Sequence, residues 1–241
     1  IYYKKLATKR MKFLSGELTD FRKIQKIIKK YNVKAIFHLG AQTQVLKAYK
    51  DPYYTHQTNV LGTLNILEIL RKKKLNIPLV YSSSDKAYGE LKKKYYYEND
   101  KLNAYFPYDA SKSASDLICQ SYSKTYNIKI GIIRSANIFG GCDFNIKRIV
   151  PETIISILKN RKLKIRSSGK QKRDYIYVED VSRAYYQVFL KLKNKKENLL
   201  IYNTGSKYNF NAIQLIKKIY KILKVKENYI INNTSKAEIQ N

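Results

Sequence analysis

The stretch that decides the fold is residues 56–82, which read HQTNVLGTLNILEILRKKKLNIPLVYS. Its first part places apolar side chains three or four residues apart, on one face of a helix, at Val60, Leu61, Leu64, Leu67 and Leu70. The spacing predicts a helix over 56–73, and the run from Pro78 to Ser82 predicts a buried strand. Because the run from Val33 to His38 predicts a strand before the helix, the segment should form a parallel strand–helix–strand unit.

The same cycle repeats further along the chain, which favours an α/β fold with a doubly wound parallel sheet of Rossmann type. A helix over about 110–126 and a strand over 128–133 follow the first unit. Beyond Gly140 the pattern loosens, and we interpret it as a smaller lobe. Its predicted elements are helices over 149–159, 179–192 and 211–223 and strands over 163–166, 174–177 and 199–203.

These elements predict two parts of the chain, residues 1–143 and residues 144–241, with 174–192 packing back on the first part. The chain begins at Ile1, and its one methionine is Met11. We therefore expect a fragment that lacks both natural ends, including the first strand–helix–strand unit of the sheet.

The charge of the chain is strongly positive, at a formal +30, which could indicate nucleic-acid binding through phosphate contacts. Only nine of the 48 basic residues are arginine, and the lysines are spread along the whole chain rather than clustered. This distribution resembles a compositional bias more than a binding stripe. We expect no nucleic-acid partner, although the charge favours anionic substrates.

The two cysteines, Cys119 and Cys142, have no spacing typical of a metal site or a disulfide framework. No apolar run approaches the roughly 18 residues that a membrane span needs, and no signal peptide is recognisable. We expect a cytoplasmic protein with no metal and no membrane contact.

The most chemically informative residues are Tyr108 and Lys112, four positions apart at the start of a predicted helix, which places both on one face. A phenol titrates near ~10 and acts as a base at neutral pH only where a nearby cation favours the phenolate. Lys112 could supply that cation. Chance matches to this pattern are common in a chain with 23 tyrosines, so the pair needs support from its surroundings.

That support comes from the sequence Ser82–Ser83–Ser84–Asp85–Lys86 at the end of the second predicted strand. Ligands of open α/β sheets bind beyond the carboxyl ends of the strands, which here are the loops at 39–45, 82–90 and 134–145. An ordinary turn rich in Ser and Asp is the alternative interpretation of the cluster.

Taken together, these and further segments resemble the motifs of the extended short-chain dehydrogenases, the NAD-dependent epimerase/dehydratase family. One departure is Glu17, where that family has Asp. The matching segments, in the family's order and spacing, are Gly16–Asp20, His38–Gln42, Thr58–Thr63, Ser82–Gly89, Tyr108–Lys112, Arg134–Gly140 and Gly169–Asp180.

The resemblance implies a bound NAD and a nucleotide-diphosphate sugar as substrate. It makes residues 1–143 the NAD-binding domain and residues 144–241 mainly the substrate-binding lobe. His38 is expected to be a core histidine rather than a catalytic one. The residues implied in cofactor binding are Asp20, Leu39, Gly40, Ala41, Asn59, Ser82, Tyr108 and Lys112.

Within this family, the residues after the active-site serine separate two reactions. Sugar 4-epimerases usually carry small or apolar residues there, whereas 4,6-dehydratases carry an acid and a second functional residue, because they also eliminate water. Asp85 and Lys86 resemble the dehydratase pattern, and the resemblance implies the catalytic set Ser84, Asp85, Lys86, Tyr108 and Lys112.

The pair Asp85–Lys86 and the segment from Gly140 to Pro151 are similar to CDP-glucose 4,6-dehydratases. Two residues depart from that subfamily: Phe144 stands for a Trp, and Cys142 for a Gly. These departures leave the identity of the nucleotide base open. A UDP-sugar 4-epimerase, which shares every motif except a use for Asp85 and Lys86, stays open as the alternative enzyme. A non-catalytic relative that binds RNA and the remnant of a broken gene stay open as well.

Arginine and amide side chains suit a diphosphate, and the resemblance implies Asn137, Arg148 and Arg173, with Ser84, as substrate-binding residues. It also implies a homodimer that forms through the helices at 56–73 and 110–126.

Overall fold

The protein is described by a computed structural model that covers residues 11–90, 95–194, 196–206 and 208–233. The chain divides into two compact units, one of residues 1–135 and 182–203 and the other of residues 136–181 and 204–241.

Helices and strands alternate along the first part of the chain. Its elements are α1 (Phe21–Lys30), β1 (Ile36–His38), α2 (Val45–Lys50), α3 (Pro52–His56), a π-helical turn (Gln57–Leu61), α4 (Gly62–Lys72), β2 (Leu79–Ser84), a 3-10 turn (Asp85–Tyr88), α5 (Pro107–Tyr126) and β3 (Ile130–Ser135). The remaining elements are β4 (Asn137–Phe139), α6 (Ile149–Leu158), β5 (Leu163–Ile165), β6 (Lys172–Tyr177), α7 (Val178–Asn194), β7 (Leu199–Thr204), β8 (Asn209–Asn211), α8 (Ala212–Ile222) and β9 (Tyr229–Ile231).

The first unit is built on a four-stranded sheet in the order β1-β2-β3-β7. β1 pairs with β2 and β2 with β3, both parallel, with Ile36 opposite Leu79 and Leu79 opposite Ile130. These pairings confirm the predicted doubly wound parallel sheet. Because every strand of the parallel pairs points the same way, the side chains that follow β1, β2 and β3 emerge at one edge.

The sheet is buried because helices cover it. All six residues of β3 and five of the six in β2 are buried, as expected for central parallel strands. Gly131 in β3 lets α7 approach closely, since a Cβ there would overlap the side chain of Val188. Fully buried side chains at the centre of this core include Leu67, Leu70, Leu79, Ile130 and Ile132.

The second unit contains two small sheets. β4 pairs parallel with β6, which pairs antiparallel with β8, and β5 pairs parallel with β9. Helices α6 and α8 pack against each other. Its core is formed by Leu163, Ile165, Ile216 and Tyr220.

Most differences from the predicted elements concern short segments. The helix expected over 56–73 begins at Pro52 and is interrupted by the π-helical turn. The expected loop 134–145 contains strand β4, and β6 starts two residues earlier than predicted. Three residues are too short to show a repeating pattern by themselves, and β4 was missed for this reason, whereas β5 was predicted within the longer stretch 163–166.

No helix among the described residues is long and apolar enough to cross a membrane. Cys119 is buried and Cys142 is exposed, and both are free thiols. Within the same described ranges, no group of three His, Cys, Asp or Glu side chains lies close enough to hold a metal ion.

Cys142 adopts a left-handed backbone conformation, with a φ of 63°. A side chain costs roughly 1–2 kcal/mol there, whereas glycine adopts it freely. We expect Cys142→Gly to raise the free energy of unfolding by about 0.5–1 kcal/mol, because the greater freedom of glycine in the unfolded chain offsets part of the relief. Denaturant unfolding measures this change. Cys142→Ala removes the thiol but keeps the strain, so an equal gain in that variant would contradict the explanation.

Candidate active site

The site begins where β2 ends and the 3-10 turn starts. The Ser84 hydroxyl donates to Asp85 Oδ1 at 3.0 Å and accepts from the backbone N–H of Lys86 at 3.2 Å. Asp85 and Lys86 form the first half of the turn and are partly exposed, whereas Ser84 is buried. The serine therefore fixes the backbone from which the acid and the amine emerge.

Lys112 lies beneath this edge of the sheet and is almost completely buried. Its ammonium donates to the backbone oxygen of Ser82 at 2.8 Å and lies 5.3 Å from the centre of the Tyr81 ring. Burial lowers the pKa of Lys112 to about 8, and the nearby Cys119 and Asp116 oppose that shift. The lysine thus stays mainly protonated at neutral pH and places a positive charge inside the site.

Tyr108 lies in the first turn of α5, directly after Pro107, which suits the first position of a helix. The Ser111 hydroxyl donates to the backbone oxygen of Tyr108 at 2.7 Å and fixes this turn. α5 packs along β2 and against the 3-10 turn. The structure therefore brings the helix of Tyr108 and Lys112 against the turn of Asp85 and Lys86.

Asn59 connects three segments of the site and is fully buried. Its side chain accepts from the N–H of Gln42 at 2.7 Å and donates to the oxygen of Gln42 at 3.0 Å and to Ser111 Oγ at 2.8 Å. The π-helical turn around Asn59 is of a kind often found at functional sites. Asn59 thus fixes the loop after β1 relative to the helix that carries Tyr108.

His38, at the end of β1, is a buried histidine whose Nε2 lies 2.9 Å from the Thr63 hydroxyl. That hydroxyl already donates its one hydrogen to the Asn59 backbone oxygen at 2.6 Å, so His38 Nε2 must be the donor. Burial and, secondarily, the charge of Lys112 lower the pKa of His38 to about 3. The ring is neutral and supports the strand, in line with the role expected for it.

The lowered pKa of His38 predicts a loss of stability in acid. The unfolded chain binds a proton near pH ~6.5, whereas the folded protein does not bind it until about pH 3, so stability falls as the pH drops between these values. This one group should cost about 3 kcal/mol between about pH 7 and about pH 4. Chemical unfolding across this range measures the slope, which should be shallower in His38→Gln. An unchanged slope in that variant would rule out His38 as its source.

The residues expected around the rest of the cofactor lie at the same edge of the first unit. Leu39 is exposed after β1, and a Cβ on Gly40 would lie 3.0 Å from the Leu18 side chain, so the chain passes close to Leu18 here. Asp20 caps α1 by accepting from the N–H of Lys23 at 3.0 Å. Asn65, which the sequence did not single out, donates to the backbone oxygens of Leu18 and Thr19 and fixes this segment.

The second unit has a cavity of about 250 Å³, and two of the expected substrate-binding residues, Asn137 and Arg173, line it. Asn137 Nδ2 donates to the backbone oxygen of Asp174, and Arg173 donates to the Gln171 side chain. Arg148 is not among the residues that line the cavity, and it forms an ion pair with Asp143 at 3.4 Å.

Arg166 also lines this cavity, and the sequence did not single it out. It pairs with Glu152 at 2.6 Å. Its position directly after strand β5 is the signal that could have identified it, since ligands gather at the carboxyl ends of strands.

A parallel sheet with a serine at the end of one strand, followed by a helix that carries Tyr-x-x-x-Lys, defines an extended short-chain dehydrogenase of the epimerase/dehydratase type. Residues 2–240 match the family model described as GDP-mannose 4,6 dehydratase, and the chain belongs to that family.

Individual relatives agree with this assignment. The chain is 30% identical over 222 residues to a dTDP-D-glucose 4,6-dehydratase of Dictyostelium discoideum, which covers 88% of this chain and 50% of that protein. The UDP-glucose 4-epimerase of Thermotoga maritima, solved with UDP-glucose, matches with a TM-score of 0.85 at 24% identity over 96% of this chain and 74% of that one. The dTDP-glucose 4,6-dehydratase of Bacillus anthracis, solved with NAD, matches with a TM-score of 0.77 at 25% identity, and the match covers 91% of this chain and 67% of that one.

The chain spans about half to three-fifths of the length of the curated dTDP-glucose dehydratases that it resembles, with 50% and 62% of the Dictyostelium and human proteins covered.

Proposed function

We propose that the protein is a nucleotide-sugar 4,6-dehydratase, which converts a nucleoside-diphosphate hexose to the 4-keto-6-deoxy sugar. The observation that carries the proposal is the 3-10 turn, which places Asp85 and Lys86 directly after Ser84 and against the helix of Tyr108 and Lys112. An epimerase has no use for an acid and an amine at these positions.

The residues at the edge of the sheet fit an NAD cofactor. The Lys112 ammonium gives one hydrogen to Ser82 and carries three, which leaves donors for ribose hydroxyls in a buried place where such bonds are strong. Tyr108, Ser82, the chain from Leu39 to Ala41, and Asp20 complete the proposed contacts. Asn59, whose two amide hydrogens are both donated within the protein, would support the cofactor by holding the loop after β1. The chemistry that bound NAD supplies is acceptance of a hydride from C4 and its return to C6.

In the first step, Tyr108 as phenolate accepts the proton of the C4 hydroxyl, and the positive charge of Lys112 stabilises that phenolate. Ser84 donates to the developing carbonyl oxygen. The Ser84 hydroxyl has one hydrogen, which here points to Asp85, so it must turn toward the sugar when substrate binds.

In the second step, the new ketone acidifies C5, and Lys86 accepts the C5 proton. Protonated Asp85 gives its proton to the departing C6 hydroxyl, which leaves as water. Once C6 is reduced, Lys86 gives its proton back to C5, and exchange with solvent restores the phenolate of Tyr108 and the protonated form of Asp85. The two residues are neighbours on one short turn, so they can act on adjacent carbons of one sugar.

The nucleotide is part of the proposal. Asp85–Lys86 and the segment from Gly140 to Pro151 favour CDP-glucose, whereas the curated dehydratases compared above are named for dTDP-glucose. In the second unit Arg173, Asn137 and Arg148 are proposed to bind the diphosphate. A cytoplasmic homodimer formed through α4 and α5 completes the proposal.

The test is incubation of the purified protein, with NAD, with CDP-glucose, dTDP-glucose, UDP-glucose or GDP-mannose, followed by mass spectrometry. Loss of water from one of these sugars is the expected result, with CDP-glucose the preferred substrate. A C4 epimer without water loss would assign the epimerase reaction instead. Salt-dependent RNA binding without NAD binding would replace both enzymes with a binding function.

A further inference from the structure

Beneath the candidate active site lies a buried ion pair that the proposed chemistry does not use. Arg134 in β3 and Asp116 in α5 form two hydrogen bonds of 2.9 and 3.0 Å, and their side chains are 1% and 0% exposed. The Ser83 hydroxyl donates to the same carboxylate at 2.6 Å, and Gln120 donates to it at 2.8 Å. Buried ion pairs of this kind add little net stability compared with apolar packing, so stability alone does not explain the pair.

Tyr88 extends this pair to the active-site turn. Its hydroxyl accepts from Arg134 Nη1 at 2.8 Å and donates to Asn203 Oδ1 at 2.7 Å. Arg134 also donates to the backbone oxygen of Glu98 at 2.9 Å and lies with its Cζ 4.8 Å from the centre of the Tyr88 ring. The tyrosine is fully buried, and both hydrogen bonds of its hydroxyl are directional, so the end of the turn has little freedom.

The network of Arg134, Asp116 and Tyr88 joins the two halves of the proposed chemistry. Tyr88 is the last residue of the turn that begins with Asp85 and Lys86. Asp116 lies one helical turn beyond Lys112 on α5. Arg134 bonds to Tyr88 and to Asp116. One guanidinium therefore sets the distance between the turn that carries Asp85 and Lys86 and the helix that carries Tyr108 and Lys112.

The backbone at this end of the turn is also fixed. Gly89, which follows Tyr88, has a φ of +67°, and a Cβ there would overlap the backbone oxygen of Asn103. The N–H of Asn103 donates to the Tyr88 oxygen at 3.3 Å. Backbone contacts thus confine the turn along the chain, and the hydrogen bonds of the Tyr88 hydroxyl hold it against β3 and β7.

We infer that Arg134 and Tyr88 are positioning residues for water elimination, which hold Asp85 and Lys86 in register with the sugar bound at Tyr108. The inference rests on the proposed dehydratase reaction. In this arrangement the two steps depend on different elements. Oxidation at C4 depends on α5, whereas removal of the C5 proton and of the C6 hydroxyl depends on the 3-10 turn.

The test is Tyr88→Phe, which keeps the ring and removes only the hydroxyl between Arg134 and Asn203. In a single turnover, appearance of the reduced cofactor reports C4 oxidation, and mass spectrometry reports water loss. We expect water loss to slow about 10- to 100-fold with an unchanged KM, because small misplacements have effects of this size, while C4 oxidation changes less than about twofold. Equal slowing of both steps, or of neither, would overturn the inference.

Tyr220→Phe is the matched control, since Tyr220 is equally buried and its hydroxyl donates to a backbone oxygen, that of Asn228, away from the turn. It should leave both steps as in the wild type. Amide hydrogen exchange tests positioning apart from activity: residues 85–88 should exchange faster in Tyr88→Phe, and residues 108–112 should not. Unchanged exchange would reject the inference even if water is lost, whereas faster exchange with no water loss in the wild type would reject only the proposed function.

Discussion

Tyr108→Phe is expected to lower the rate of C4 oxidation by about 100- to 10,000-fold, the usual contribution of a general base. The phenol oxygen is the group that accepts the C4 proton, and Lys112, which is mainly protonated at neutral pH, cannot replace it as a base. Because water elimination needs the ketone, product formation should fall equally. Absorbance of the reduced cofactor after mixing with substrate measures the first step directly.

Tyr105→Phe is the matched control for this prediction. Tyr105 is 74% exposed, and its hydroxyl donates to the side chain of Asn103, so the same atom is removed three residues away. The control should retain wild-type rates. Retention of C4 oxidation in Tyr108→Phe would remove Tyr108 from the proposed catalytic set.

Lys86→Met should block water elimination and leave C4 oxidation intact. Methionine has a length similar to that of lysine but carries no amine, so the C5 proton has no acceptor and water loss should fall by about 100-fold or more. C4 oxidation should survive, because Tyr108, Lys112 and Ser84 are unchanged. The reduced cofactor should therefore accumulate with substrate, where the wild type would show it only transiently.

Lys101→Met provides the comparison, since Lys101 is an exposed lysine of the same unit that lies outside the turn. It should behave as the wild type in both steps. If Lys86→Met still eliminates water, another group removes the C5 proton, and the role given to Lys86 is wrong.

The parallel sheet was readable from the sequence because β2 and β3 are buried strands of six residues and α4 and α5 bury defined faces. The helix predicted over 110–126 is α5, which begins three residues earlier, and the strand predicted over 128–133 is β3, which lies two residues further along the chain. Such shifts arise because helix caps and strand ends are fixed by local contacts, such as the proline at the start of α5, rather than by periodicity.

Residues of the candidate site were predictable only where one element carries them. Tyr108 and Lys112 share a helix, and Ser84, Asp85 and Lys86 are consecutive, so spacing alone relates them. The network of Arg134, Asp116 and Tyr88 was not predictable, because Arg134 lies 18 and 46 residues from its partners and meets them only through the sheet. Arg166 was missed because no motif includes it.

The π-helical turn at 57–61 changes the phase of the helix that it interrupts. One additional residue in a turn rotates everything after it by about 100° relative to an uninterrupted α-helix. Thr55, before the turn, therefore bonds to Gln42, while Leu67 and Leu70, after it, still point into the core. Deletion of one residue from 57–61 would leave a regular helix, which could not keep both the Thr55–Gln42 hydrogen bond and the burial of Leu67 and Leu70. The length of this segment is therefore constrained even where its side chains are not.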